Sequence, residues 1–186
     1  MDHKRYLDFL HRIEKLKCNT RHSWTSSGRQ ESVAEHSWRL SVMAMLCADE
    51  YPDLDMNKVI KMCLIHDFGE AITGDIPSFL KTEAHEQEET SAVRALISSL
   101  DAVAATELTA LFRELTEGST KEAKLCMALD KIETLISHNE ADLSTWLEKE
   151  YTESLVYGDA QSACSEWTRD LRDTVRQDTL RKIGKQ

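Results

Sequence analysis

Met62-Cys-Leu-Ile-His66-Asp67-Phe-Gly-Glu70-Ala-Ile-Thr-Gly74-Asp75-Ile-Pro77 is an apolar run that ends in adjacent histidine and aspartate, then a glutamate and a Gly-Asp-Ile-Pro turn. At about 100° per residue, Val59, Met62, Cys63, His66 and Glu70 fall on one helical face. A histidine and a glutamate one turn apart on an apolar face cost free energy unless something there uses them. A solitary buried histidine is more often a hydrogen-bonded core residue than a ligand. The surrounding chain has to decide which this one is.

Upstream, Ser32-x-x-Glu35 has the form of a capping box and opens a helix over roughly 33–50. His36 lies one turn inside it, on a stripe with Leu40, Met43 and Cys47. Trp38, Val42 and Met45 on the opposite face predict a helix covered on most sides. Tyr51-Pro-Asp-Leu-Asp is a turn, with Asp55 placed to cap the helix that runs into His66. Downstream, residues 120–138 form a helix with two apolar faces. Leu125, Ala128, Leu129, Ile132, Leu135 and Ile136 make one, and Ala123, Cys126, Met127 and Thr134 the other. Lys124 and Lys131 mark its solvent edge, and Asp130 falls within the small-residue face. An aspartate there must pair, protonate or bind a metal.

The remaining segments fill out a helical fold. Residues 3–17 carry Tyr6, Leu7, Leu10, Ile13 and Leu16 at helical spacing. Residues 18–30 (CNTRHSWTSSGRQ) break periodicity and read as a loop, yet one that carries Arg21, His22, Trp24 and Arg29. Segment 68–73 stops at Gly74, residues 81–100 and 102–116 are amphipathic helices, and 141–157 and 160–183 read as two closing helices. No strand pattern of any length is present, so the expected fold is all-α.

Composition narrows the function. The 186 residues suit one domain, 1–186, with a sizeable core. A net charge of −10 argues against duplex nucleic acid as partner, although a small phosphorylated substrate can still be met by a local cation and an arginine. No apolar run approaches the ~20 residues that span a membrane, and the N-terminus lacks a signal-peptide core. Five cysteines with no C-x-x-C pair point to a reducing, cytoplasmic setting.

Three interior helices thus deliver His36, the pair His66 and Asp67, and Asp130. Two imidazoles and two carboxylates suit one divalent transition ion, Mn²⁺, Co²⁺ or Fe²⁺, better than Mg²⁺ or Zn²⁺. Such an ion lowers the pKa of a bound water and polarises a phosphoryl oxygen. Glu70 and Asp75 can supply proton transfer beside it, and Arg21 can neutralise a phosphate. Simpler readings stand next to these: Arg21 as a solvated surface cation, Trp24 as a lid over the core, Asp75 as the cap of a turn.

The order His36 … His66-Asp67 … Asp130 resembles the HD-domain metal-dependent phosphohydrolases. The blocks Glu31-Ser-Val-Ala-Glu35-His36-Ser, Leu-Ile-His66-Asp67-x-x-Glu70, Thr-Gly74-Asp75-Ile-Pro77 and Ala-Leu-Asp130-Lys are similar to its 5′-deoxynucleotidase branch. The resemblance covers about residues 5–140, the motif-bearing core, and adds little about the closing helices at about 141–183. It implies a helical bundle with one divalent metal, often a homodimer. The implied reaction is hydrolysis of deoxyribonucleoside 5′-monophosphates. It places Arg21 and Trp24 near the substrate, Glu70 as acid/base and Asp75 as a second active-site aspartate. Ala71 stands where guanosine-tetraphosphate hydrolases of this class carry aspartate, which disfavours that activity. A two-iron HD oxygenase needs further histidines before Asp130, and only His85 lies there, in a polar run. A nucleotide-sensing protein without turnover is the other alternative.

Overall fold

The computed structural model describes residues 2–77 and 80–184. In order these form α1 (His3–Ile13), β1 (Thr20–Trp24), β2 (Gln30–Ser32), α2 (Val33–Leu46), α3 (Met56–Ile65), α4 (Glu70–Thr73), α5 (Glu83–Ile97), α6 (Ala102–Glu117), α7 (Lys121–Glu140), α8 (Glu150–Glu153), α9 (Asp159–Ser162) and α10 (Glu166–Ile183). Short 3₁₀ turns at Glu14–Lys17, Ala48–Glu50 and Leu143–Thr145 link them. Among the described residues no helix is long and apolar enough to cross a membrane.

The organising helix is α7, which packs against α2, α3, α9 and α10. Leu125, Cys126 and Leu129 from α7 meet Leu40 and Ala44 from α2 and Val59, Met62 and Cys63 from α3 in the main core. Each such fully buried aliphatic side chain contributes about 1.5–3 kcal/mol. The helix starts follow the expected chemistry. Ser32 Oγ accepts from Glu35 N–H at 3.2 Å while Glu35 Oε2 accepts from Ser32 N–H at 2.9 Å, completing the capping box. Asp55 Oδ1 accepts from Lys58 N–H at 3.0 Å and starts α3.

Six details depart from the sequence reading. Residues 18–30 are not a plain loop: β1 and β2 form a small antiparallel hairpin. Its strands are short and polar, so apolar alternation, the usual strand signal, is missing. The outer face of α2 is not covered. Trp38 is 65% exposed, Met45 55% and Leu46, at its end, 76%, because the buried stripe Val33, His36, Ser37, Leu40, Ala44 already uses the one face turned to the core. Glu70 does not share a helix with His66. The helix α3 stops at Ile65, and tight bonds such as Phe68 N–H to Ile65 O (2.9 Å) and Glu70 N–H to Asp67 O (3.0 Å) carry the chain into α4.

Lys131 is not on the solvent edge of α7. It is half-buried at the cavity, with Nζ 2.7 Å from Asp130 Oδ2. Finally, 141–157 is no continuous helix. Ala141 is extended, Asp142 caps a 3₁₀ turn through Ser144 N–H (2.8 Å), and only Glu150–Glu153 is α-helical. The likewise expected 160–183 helix is divided into α9 and α10, with Ser165 capping the second. Gly158, at φ +79°, permits this turn, and a Cβ there would come within 2.7 Å of Lys131 Cβ. The broken segment lets α8 fold back beside α7, which matters for the site.

Candidate metal and phosphate centre

The sharp turn after α3 turns His66 and Asp67 inward toward α2 and α7. His36 Nε2, on α2, lies 3.3 Å from His66 Nε2 and 3.1 Å from Asp130 Oδ1 on α7. Asp67 Oδ2 is 3.1 Å from His66 Nε2 and 3.9 Å from His36 Nε2, and His66 Nε2 is 3.7 Å from Asp130 Oδ1. Ligands at right angles around an ion at 2.1 Å sit about 3 Å apart, so these spacings and the mixed nitrogen–oxygen donor set fit one divalent ion. His36, His66 and Asp67 have ligand atoms mutually within 4.8 Å; Asp130 completes the ring through its approach to both imidazoles.

The electrostatics of the ion-free chain agree with a site built for a cation. Burial opposes charge on both aspartates, yet the imidazoles, Arg21 and Lys131 around them hold Asp67 and Asp130 below the usual carboxylate range. Burial likewise opposes the charged form of both histidines, but the carboxylates win and raise them.

Arg21 on β1 is nearly buried, which removes the surface-cation reading. Its Nη1 is 3.5 Å from Asp67 Oδ2, its Nε 3.6 Å from Glu31 Oε2, and its Nη2 donates to Thr134 Oγ1 at 3.1 Å. A cavity of about 180 Å³ opens beside it, lined by Arg21, Asp67, Glu70, Asp75, Asp130 and Lys131, among others. His36 and His66 lie behind its aspartates rather than on its wall.

Glu70 is 4% exposed and its Oε2 has no hydrogen-bond partner. Burial first, then Asp67 and Asp75, push its carboxyl up to about 9 in the ion-free chain. Asp75 is raised too, mainly by burial. A divalent ion nearby would pull both back down. Trp24 does not line this cavity with the others; it is half-buried on the hairpin. His85 serves the α5 cap, its Nδ1 accepting from Thr82 N–H at 3.2 Å.

Sequence reasoning missed Glu133. It is fully buried on α7, one turn after Asp130, with Oε2 in a short contact to His36 Nδ1 and Oε1 accepting from Arg39 Nε at 2.7 Å. A glutamate at i+3 from a candidate ligand, on a helix apolar on two sides, was the available signal. It also missed Glu89, which approaches Asp67 and Glu70 and pairs with Lys81 at 2.5 Å.

Helices that gather two imidazoles and two carboxylates beside an arginine-lined cavity have the arrangement of a metal-dependent helical phosphohydrolase. The chain belongs to the HD-domain family, whose model matches residues 13–172. It is 33% identical over 168 residues to 5′-deoxynucleotidase hdd1 of Schizosaccharomyces pombe, spanning 81% of this chain and 84% of that protein. With human 5′-deoxynucleotidase HDDC2 it shares 33% over 139 residues, 72% of this chain and 67% of the relative. A solved metal-dependent phosphohydrolase from Magnetospirillum magnetotacticum superposes with a TM-score of 0.82 at 28% identity, over 96% of this chain and 93% of that one.

Proposed function

We infer that this chain is a 5′-deoxynucleotidase: it hydrolyses the 5′-phosphate ester of nucleoside monophosphates to nucleoside and orthophosphate. The observation that carries the reading is the approach of Arg21 to Asp67 at 3.5 Å. It puts a phosphate-binding guanidinium against the candidate ion site. His36, His66, Asp67 and Asp130 are the ligands in this reading. An ion held by them supplies charge for a phosphoryl oxygen and acidifies water.

The rest of the work falls to the chain's own side chains. Arg21 is preorganised by Glu31 and Thr134 to fork onto two phosphate oxygens, the geometry an ammonium cannot match. Glu70 stands within reach of the same point with an unpartnered oxygen, so it can orient the attacking water or hand a proton to the departing 5′-oxygen. Asp75, across the cavity from Asp130, is the second proton-transfer candidate. Trp24 is assigned to the substrate on the resemblance alone.

Five finer points belong to the same proposal. The mixed donor set favours Mn²⁺, Co²⁺ or Fe²⁺. Free cysteines, with the Cys63 thiol donating a hydrogen bond to Cys126 Sγ at 3.5 Å in place of a disulfide, support a reducing cytoplasmic setting. The exposed Trp38, Met45 and Leu46 give a homodimer an apolar surface to bury. The family match to 13–172 and the packing of α10 on α7 support one HD domain over 1–186. The small cavity, with Arg21, Lys81 and Lys131 on its wall, and the net charge of −10 favour a single nucleotide over a duplex or an anionic membrane. A screen of nucleoside monophosphates for phosphate release, run in parallel with Mn²⁺, Co²⁺, Fe²⁺ and Mg²⁺, tests the assignment. Phosphate from several 5′-monophosphates is the expected result, and none with any ion is the contrary one.

A further inference from the structure

The cavity does not end at the metal and phosphate residues. Its wall continues through Thr134 to His138, and across from them to His22, Glu150, Ser154 and Tyr157. Asp130, Thr134 and His138 follow one another at intervals of four on α7, so they make a stripe about 12 Å long at 1.5 Å per residue. Arg21 bonds to the middle of that stripe. A phosphate bound by Arg21 therefore lies beside the middle of that stripe, with His138 one turn further along α7 and on the same cavity wall.

What waits there is unusual. Glu150 is 5% exposed, and its Oε1 faces two imidazoles: His22 Nε2 at 3.0 Å and His138 Nε2 at 4.0 Å. Its other oxygen accepts from Leu147 N–H at 2.7 Å. A carboxylate has about four acceptor positions, so acceptor capacity is left over in a wall that water reaches through the cavity. His138 carries a buried Nδ1 with no partner, and burial lowers its pKa, which keeps its ring neutral. The hairpin is built to serve both ends of the cavity. Successive strand residues ordinarily face opposite ways, but the register of β1 is irregular between Thr20 and Trp24, and Arg21, His22 and Ser23 all line the cavity. One strand thus presents a guanidinium toward the phosphate and an imidazole toward Glu150.

We propose that Glu150, with His22 and His138, forms the nucleobase subsite, and that Glu150 accepts a hydrogen bond from an exocyclic amino group of the base. This rests on the nucleotidase reading. A buried carboxylate repels a carbonyl oxygen at the same position, so cytosine, adenine and guanine are favoured over uracil and thymine. A hydrogen bond to a charged group in a partly dry site is worth at least about tenfold in affinity.

The test compares dCMP, dUMP and deoxyribose 5-phosphate with wild type, Glu150→Gln and His138→Gln. Phosphate release gives kcat/KM, and calorimetry on the metal-loaded proteins gives binding. Wild type should prefer dCMP over dUMP by about tenfold or more, and over deoxyribose 5-phosphate by more. In Glu150→Gln both ratios should fall at least fivefold, in turnover and in binding alike. His138→Gln should lower them less. Unchanged ratios in Glu150→Gln overturn the subsite while leaving the nucleotidase reading intact. So does an equal loss on all three phosphates, which marks Glu150 as structural. If no phosphate is released from any of the three, the nucleotidase reading fails, and the dCMP/dUMP binding ratio of wild type against Glu150→Gln still decides the subsite.

Discussion

Replacing Glu133 by glutamine keeps its volume and removes its charge, in a place where both carboxylate oxygens are committed. Oε2 meets His36 Nδ1, and Oε1 takes the N–H of Arg39 at 2.7 Å and the hydroxyl of Ser137 at 3.3 Å. An amide has one acceptor oxygen, so its NH₂ must face either Arg39 or His36. If it faces His36, the imidazole has to offer a lone pair at Nδ1 and keep its proton on Nε2, the nitrogen aimed at His66 and Asp130. That tautomer cannot ligate an ion. If it faces Arg39, a half-buried guanidinium N–H loses its acceptor. One unmade buried bond costs about 1–3 kcal/mol, and disturbing the partner of a ligating histidine costs about 10–100-fold in metal affinity, about 1.4–2.7 kcal/mol. For a domain of this length, 1–3 kcal/mol corresponds to a melting shift of about 2–12 °C. The assay is titration of chelator-treated wild type and variant with Mn²⁺ or Co²⁺ by calorimetry, with melting curves of both in the presence and absence of metal. Glu140→Gln, which removes only the exposed outer partner of Arg39 at 2.5 Å, is the control and should be nearly neutral. Metal affinity within twofold of wild type in Glu133→Gln, at an unchanged melting point, would refute the claim that this carboxylate sets the state of His36.

Three further outcomes are expected. Arg21→Lys should keep its metal and lose about 10²-fold in kcat/KM, because a single ammonium cannot fork onto two phosphate oxygens; wild-type turnover in that variant counts against the phosphate role. Glu70→Gln should fold, bind metal and nucleotide, and turn over about 10²–10⁴-fold more slowly; a near-normal rate would hand proton transfer to Asp75. His138 is depressed below its ordinary 6.5, mainly by burial, so the unfolded chain takes up its proton first as pH falls. Its contribution to stability is therefore present above about pH 6.5 and lost below it. Melting curves from pH 7.5 to 5.5 should show wild type losing more stability than His138→Gln, and parallel loss in the two would show that His138 does not titrate this way.

Most of the candidate centre was legible because its signals are local in sequence. Ser32 and Glu35 announce a helix start, and the helix places His36 on the buried stripe; Asp130 stands out because aspartate on an apolar helix face needs a reason. What stayed hidden depends on how distant elements pair. The β1–β2 hairpin is held by backbone bonds between polar strands and by buried Ser23 and Glu31, which leave no apolar rhythm to read. Trp38 and Met45 looked like core because residue type was taken for burial, whereas neighbours decide it. The segment 141–157 carries Leu147, Tyr151 and Leu155 at helical spacing, yet it bends because Trp146 Nε1 donates to His138 O at 3.0 Å and Asp142 caps a separate turn. That bend carries Glu150 to the cavity. Glu133 and Lys131, hidden inside a helix assigned from its apolar faces, required the contacts of His36 and Asp130 to acquire meaning.

The central claim is that phosphate ester hydrolysis depends on one ion held by His36, His66, Asp67 and Asp130. Its most direct test follows phosphate release from a deoxynucleoside 5′-monophosphate by chelator-stripped protein as Mn²⁺ or Co²⁺ is added back. The account predicts no release without metal, and a rise that saturates near one equivalent per chain in wild type and is absent in Asp67→Ala. Release that persists in the stripped protein, or a wild-type response from Asp67→Ala, would contradict it.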